Sequence, residues 1–149
     1  LYPLDNTIDL AAGDASLQIF KGNEAMMDAA DAIIANLTPF RGASADAGTV
    51  YELGYMAGRG KFCLAYSNDP ASYAERVARF DVVTKSPAGT HLTDSHGLTV
   101  EDFGHPDNLM MIHALDLSGS PLILPREAPA DLWQDLPSFE ACLKLAASY

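Results

Sequence analysis

The sequence predicts an α/β fold, an open and mainly parallel sheet flanked by helices, from three observations. Two short apolar runs, residues 31–37 (Asp-Ala-Ile-Ile-Ala-Asn-Leu) and 61–67 (Lys-Phe-Cys-Leu-Ala-Tyr-Ser), are bounded by polar and turn residues, the pattern of strands buried on both faces. Between them, Val50, Leu53, Gly54 and Ala57 fall at helical spacing. At 149 residues, with 48% hydrophobic and 19% charged residues, the chain suits a single globular domain with a real core.

The elements follow in order. The chain opens without Met in Leu1-Tyr2-Pro3-Leu4-Asp5-Asn6, which reads as the end of a strand entering a loop. The expectation is that the first strand of the sheet precedes Leu1. Leu17, Phe20, Ala25 and Met27 give residues 16–29 a loose helical pattern with Ser16 as its N-cap. The strand over 31–37 ends at Thr38-Pro39, and a loop runs to Ala45. Asp46 is a good N-cap for a helix over 47–58, which Gly58-Arg59-Gly60 stops.

The strand over 61–67 is followed by the turn Asn68-Asp69-Pro70 and a short helix over 72–80. Alternation of strand, helix and strand implies parallel crossovers and a Rossmann- or flavodoxin-like sheet. Residues 81–106, rich in Gly, Pro, Thr and His and without a period, read as a long structureless loop, the kind that is functional or mobile. Residues 108–115 read as helix, 121–124 as a further strand, and 138–147 as a last helix with Ser138 near its N-cap.

A net charge of −11 and a pI near 4.4 argue against nucleic acid or an anionic membrane surface as partner, because nine basic residues neutralise few phosphates. Small neutral ligands fit better. Cys63 and Cys142 form neither a disulfide framework nor a metal spacing and read as buried thiols of a reducing cytoplasm. No run reaches the roughly 18 apolar residues of a membrane span. His91, Asp94 and His96 match no common zinc template, so no metal site is expected.

Ligands of open α/β sheets bind at the carboxyl ends of strands, where loops enter helix N-termini. The 38–46 loop and the first turns of the 47–58 helix lie there. A glutamate on a helix is ordinarily a solvated surface residue, but every other residue from Ala47 to Gly58 is uncharged, and a lone carboxylate there needs partners or a purpose. Gly48, four residues before Glu52 on the same face, leaves room for a small molecule to approach. The helix terminus favours an ionised Glu52, and Tyr55 is placed to donate to it.

The run Asp46-x-Gly48-x-x-x-Glu52-Leu53-Gly54-Tyr55, followed by Gly60-Lys61, preceded by Leu1-Tyr-Pro-Leu-Asp-Asn6 and followed by Asn108-Leu-Met110, resembles the nucleoside 2-deoxyribosyltransferases, with the motifs in the same order. Residues 30–42, ending in Leu-Thr-Pro-Phe-Arg-Gly, look most like the branch with protozoan and similar bacterial enzymes. The resemblance spans nearly all of residues 1–111 apart from the long loop.

It implies a retaining transfer of 2-deoxyribose between purine or pyrimidine bases, with Glu52 as nucleophile, some hydrolysis, and no cofactor. It also implies that Asp46 contacts sugar hydroxyls, beside its plain reading as an N-cap, and that Phe40 and Arg41 line the substrate. Asn108 and Met110 match an element that a neighbouring subunit contributes, so an obligate oligomer, at least a dimer, is implied. Asn23 stands where lactobacillal members carry an aspartate that handles the base; an amide can hydrogen-bond a base edge but cannot be its general acid. The family's first strand and Gly-rich loop are expected before Leu1, and a C-terminal carboxylate at Tyr149 is a weaker candidate for a neighbour's site. Hydrolysis of a nucleoside 5′-monophosphate, with Arg41 and Ser44 on the phosphate, and a non-catalytic nucleoside-sensing module are the alternatives.

Overall fold

The computed structural model describes residues 13–148. Internal packing divides the chain into two compact units, Leu1–Asp31 and Ala32–Tyr149. The opening strand-like segment and Tyr149 lie outside the described residues.

In the first unit, helix α1 spans Ala15–Ala29. Its N-cap is Asp14 rather than Ser16, and no side chain caps it, although the Gln18 amide reaches back to the Asp14 carboxylate at 2.9 Å. Ala15 and Met27 are its buried residues.

The second unit is built on two parallel strands, β1 (Ala32–Asn36) and β2 (Phe62–Tyr66), in register from Ala32 opposite Phe62 to Asn36 opposite Tyr66. The expected strand over 121–124 shrinks to one position. Ile123 bridges Tyr66 in parallel, donating to the Ala65 carbonyl and accepting from the Ser67 N–H, both at 3.0 Å. Pro121 and Pro125 flank this bridge, and proline cannot donate to a ladder.

Helix α2 (Ala47–Gly58) connects β1 to β2, with both ends as expected from Asp46 and the glycines. It packs on both strands and on α4 (Leu109–Leu117), while α5 (Pro137–Ala146) packs on β2 and β1. The Tyr66 ring rests on Phe139 of α5 at 5.9 Å. Because strand side chains alternate, Leu64 shares that side and Cys63 and Ala65 face the other. All three are fully buried, which requires cover on both faces; α5 supplies one layer and the α2–α4 pair the other. Burial pushes the Cys63 thiol up and that of Cys142 to about 11, as expected of inert core thiols. Helix α5 begins at Pro137 with no side-chain cap, so Ser138 is not its N-cap.

Helix α3 (Tyr73–Val77) is shorter than the 72–80 expected, but it carries a full capping box between Ser72 and Glu75. The 81–106 segment is not structureless. Strands β3 (Thr84–Lys85), β4 (Leu92–Thr93) and β5 (Thr99–Val100) form an antiparallel sheet in that order. Two-residue strands are too short to show alternation in sequence. Their turns rest on Gly89 and Gly97, both with positive φ, and on the Asp94 carboxylate, which accepts from the N–H groups of His96 and Leu98. Among the described residues no helix is long and apolar enough to cross a membrane.

Candidate active site

The carboxyl ends of β1 and β2 are tied together by buried polar groups. The Thr38 N–H donates to the Asn36 side chain at 3.0 Å, and the Thr38 hydroxyl accepts from the Asn68 N–H at 3.1 Å. The buried Asn68 amide in turn donates to the carbonyls of Leu132 and Asp135 at 2.8 and 2.9 Å. These bonds fix the segment carrying Trp133, whose indole stands edge-on to the Phe40 ring at 6.0 Å. Arg41 lies over the Phe40 ring, with its guanidinium carbon 4.9 Å from the centroid.

Arg41 itself adopts φ of 56°, the one non-glycine with positive φ among the described residues. Such a backbone costs of order 1 kcal/mol and persists where its surroundings hold it. Here the Phe40 N–H donates to the Ser44 carbonyl at 2.9 Å and closes the loop around Arg41.

From this loop the chain enters α2 through Asp46, whose Oδ2 accepts from the Thr49 N–H at 3.1 Å. A Cβ added at Gly48 would lie 3.0 Å from that same oxygen. The missing side chain at Gly48 therefore makes room for the Asp46 carboxylate.

Glu52 is half-buried, between the exposed Tyr51 and the buried Leu53, and makes no hydrogen bond or ion pair among the described residues. Burial, and then the negative charge of Asp46, push its carboxyl above the usual glutamate range. The ionising effect expected from the helix terminus does not prevail. Glu52 is the sixth residue of α2, beyond the first turn where the dipole acts, so desolvation and Asp46 dominate. Tyr55 stacks under the Arg59 guanidinium and accepts from it at 2.5 Å.

Asn108 is the N-cap of α4, its Oδ1 accepting from the Met110 N–H at 3.0 Å. Glu101, just after β5, accepts from the Asn108 amide at 2.7 Å and from the Leu109 N–H at 3.1 Å. Met110 projects outward and is 72% exposed. Next to Asn108, Asp107 is buried and accepts from Ser44 and Ala45, so the start of α4 and the entrance to α2 are joined.

The sequence model of the family described as nucleoside 2-deoxyribosyltransferase matches residues 1–110. The chain belongs to the nucleoside 2-deoxyribosyltransferase family. A 2-desoxiribosyltransferase from Leishmania mexicana shares its structure with a TM-score of 0.63 and 32% sequence identity, over 100% of this chain and 75% of that one. An uncharacterized protein of Schizosaccharomyces pombe is 34% identical over 123 residues, which cover 74% of this chain. The chain spans 58% of the length of that curated relative.

In this member of the deoxyribosyltransferase family, Phe40, Arg41, Asp46, Gly48 and Glu52 follow one another on a single loop and helix, and Asn108 joins them through Asp107. Asn23 lies in the first unit, midway along α1, and its Oδ1 is buried without a hydrogen-bond partner among the described residues. Sequence reasoning passed over Asp107, Arg76, Glu101, Asn68 and Trp133. Asp107 had one legible signal, an acidic residue directly before the Asn-Leu-Met run; the others are joined to the site only by the folded chain.

A cavity of about 530 Å³ lies at the other end of α2, lined by residues such as Ala57, Phe62 and Leu117. It opens at the amino end of β2, the wrong end of a parallel sheet for the substrate of such a fold. The Asp94 carboxylate is held in a turn by the His96 N–H, and the His91 ring pairs with the Thr90 hydroxyl. No group of three metal-ligating side chains occurs among the described residues.

Proposed function

We propose that this protein exchanges purine or pyrimidine bases on 2-deoxyribonucleosides through a covalent glycosyl ester on Glu52. The observation that carries this reading is the Glu52 carboxylate itself: partly desolvated, unpaired among the described residues, and set between one and two turns beyond a capping aspartate at the carboxyl end of the sheet. An unpaired carboxylate in such a place costs stability, and family membership supplies a use for it.

In the first step a Glu52 carboxylate oxygen attacks the anomeric carbon, the carbon–nitrogen bond breaks, and the base leaves with the bonding pair and takes up a proton. In the second, the nitrogen of another base attacks the same carbon, the ester bond breaks, and Glu52 recovers its charge while the proton is released. Water in place of the second base gives hydrolysis. Two inversions at one carbon amount to retention. The oxocarbenium-like state of each step is stabilised by the carboxylate.

Asp46 accepts from a sugar hydroxyl with the oxygen that its cap bond leaves available. Phe40 offers a flat face to the base beside Arg41. Asn108 and the outward Met110 contact the substrate of a second copy of the chain, a role that the exposure of Met110 supports. The proton for the departing base comes from solvent, from Asp46 or from a group outside the described residues.

The test is exchange of the base between deoxyinosine and free adenine. Wild type turns over and Glu52→Ala does not; retained exchange in that variant refutes the nucleophile. Hydrolysis of a 5′-monophosphate is disfavoured because the Ser44 hydroxyl, a candidate phosphate ligand, is committed to Asp107 at 2.6 Å. Preference for deoxyinosine monophosphate over deoxyinosine would reverse that judgement. Nucleoside binding without product would leave a sensing module.

A further inference from the structure

Asp107 is 1% exposed, and so is Arg76, whose Nη2 lies 3.3 Å from its carboxylate. The guanidinium nitrogens of Arg76 make no hydrogen bond among the described residues, so its support of Asp107 is Coulombic rather than directional. The directional bonds come from elsewhere. Oδ1 accepts from the Ser44 hydroxyl at 2.6 Å and from the Asn108 N–H at 2.8 Å, and Oδ2 accepts from the Ala45 N–H at 3.1 Å. Helix α3, which brings Arg76, is itself anchored near Asp107 by the Tyr73 N–H donating to the His105 carbonyl at 2.8 Å.

A buried ion pair is a poor means of stabilising a fold, since well-packed apolar residues of the same volume often do as well or better. What it does supply is direction. Every donor to Asp107 sits at, or one or two residues from, a residue with a role in the proposed reaction: Ser44 and Ala45 lead into Asp46, and Asn108 is itself one.

We propose that Asp107 is a positioning residue that clamps the Ser44–Ala45 segment to Asn108, holding the heads of α2 and α4 in one register for sugar binding and transfer. The inference rests on the deoxyribosyl-transfer reading. It adds that the two substrate-contacting helix heads act as one rigid unit, set by a carboxylate that never touches substrate. A displacement of about 1 Å at such a site costs about a hundredfold in rate.

Removing Asp107 leaves Arg76 buried and uncompensated and endangers folding, so the informative variant is Ser44→Ala, which cuts one arm of the clamp and leaves the ion pair intact. It should lower kcat for base exchange by about tenfold to a hundredfold with Tm close to wild type, and Ser44→Thr, which keeps the hydroxyl, should restore it. Ser72→Ala, which breaks the capping box of α3, should lower Tm and leave kcat unchanged. Ser44→Ala kinetics within twofold of wild type, or a loss that follows Tm in both alanine variants, overturns the clamp.

Amide hydrogen exchange reads the clamp without turnover. Ser44→Ala should speed exchange at Ala45, Thr49 and Asn108 by about tenfold, the effect of losing a bond to a charged group. Unchanged protection at all three refutes the inference even if the wild-type protein transfers no sugar. Loss of exchange in wild type with the clamp intact refutes the transfer reading alone.

Discussion

Replacing Asp46 by Asn separates two effects that one carboxylate exerts at the head of α2. As a cap, its Oδ2 holds the Thr49 N–H at 3.1 Å. As a charge, it adds to burial in raising the Glu52 carboxyl. Asn and Asp are near equals at an N-cap, so Asp46→Asn should change stability by less than about 0.5 kcal/mol, whereas Asp46→Ala should lose about 1 kcal/mol. For a chain of this size that is a fall in Tm of about 2–4 °C.

The charge effect has the opposite bearing on catalysis. In the proposed mechanism Glu52 attacks in its ionised form, and a neighbouring negative charge opposes ionisation. Asp46→Asn should therefore move the acid limb of the kcat/KM profile to lower pH, even as it weakens sugar binding. Burial is the larger cause of the raised Glu52, so the limb should stay above the position of an ordinary glutamate. The measurements are exchange kinetics across the acid range and thermal unfolding of the three proteins. An acid limb that stays put or moves up in Asp46→Asn refutes the electrostatic coupling of the two carboxylates.

Glu52→Gln should abolish exchange and raise stability at neutral pH, because a carboxyl raised in the fold binds its proton more tightly folded than unfolded. Wild-type stability then falls as pH rises from about 4.5 through the folded value, and the gain from Gln should fade on the acid side of that window; equal Tm at neutral pH would contradict it. Trp133, the sole tryptophan, is 53% exposed beside Phe40. Its emission should change saturably as adenine is added and much less so in Phe40→Ala, and a flat titration with exchange intact would remove the aromatic pair from the base site.

The positions of the candidate residues on α2 were legible because they are local. Asp46, Gly48 and Glu52 share one helix end, and the spacing of a helix N-cap and its next turns can be read from sequence alone. The same locality explains why α2 ends where Gly58-Arg59-Gly60 predicts. Asn108 was legible as a helix start, and Phe40 and Arg41 as part of the loop before Asp46. Other readings failed for physical reasons. The 81–106 stretch has no period because its strands are two residues long and held by glycine turns, and the 121–124 strand is cut to Ile123 by the prolines beside it. The pull of the helix terminus toward an ionised Glu52 is outweighed by burial, which raises its carboxyl and depends on what surrounds the helix.

From its sequence alone this protein is an α/β chain of the deoxyribosyltransferase family with a lone glutamate in an uncharged helix, since periodicity, caps and motif order are properties of neighbouring residues. Tertiary structure decided the remainder. Asp107 meets Ser44 across more than sixty residues of chain, Arg76 is buried against it from a third helix, and Asn68 holds the segment that puts Trp133 on Phe40. No local pattern encodes such pairings, because a buried charge and its partner are selected by the space that the folded backbone leaves between them.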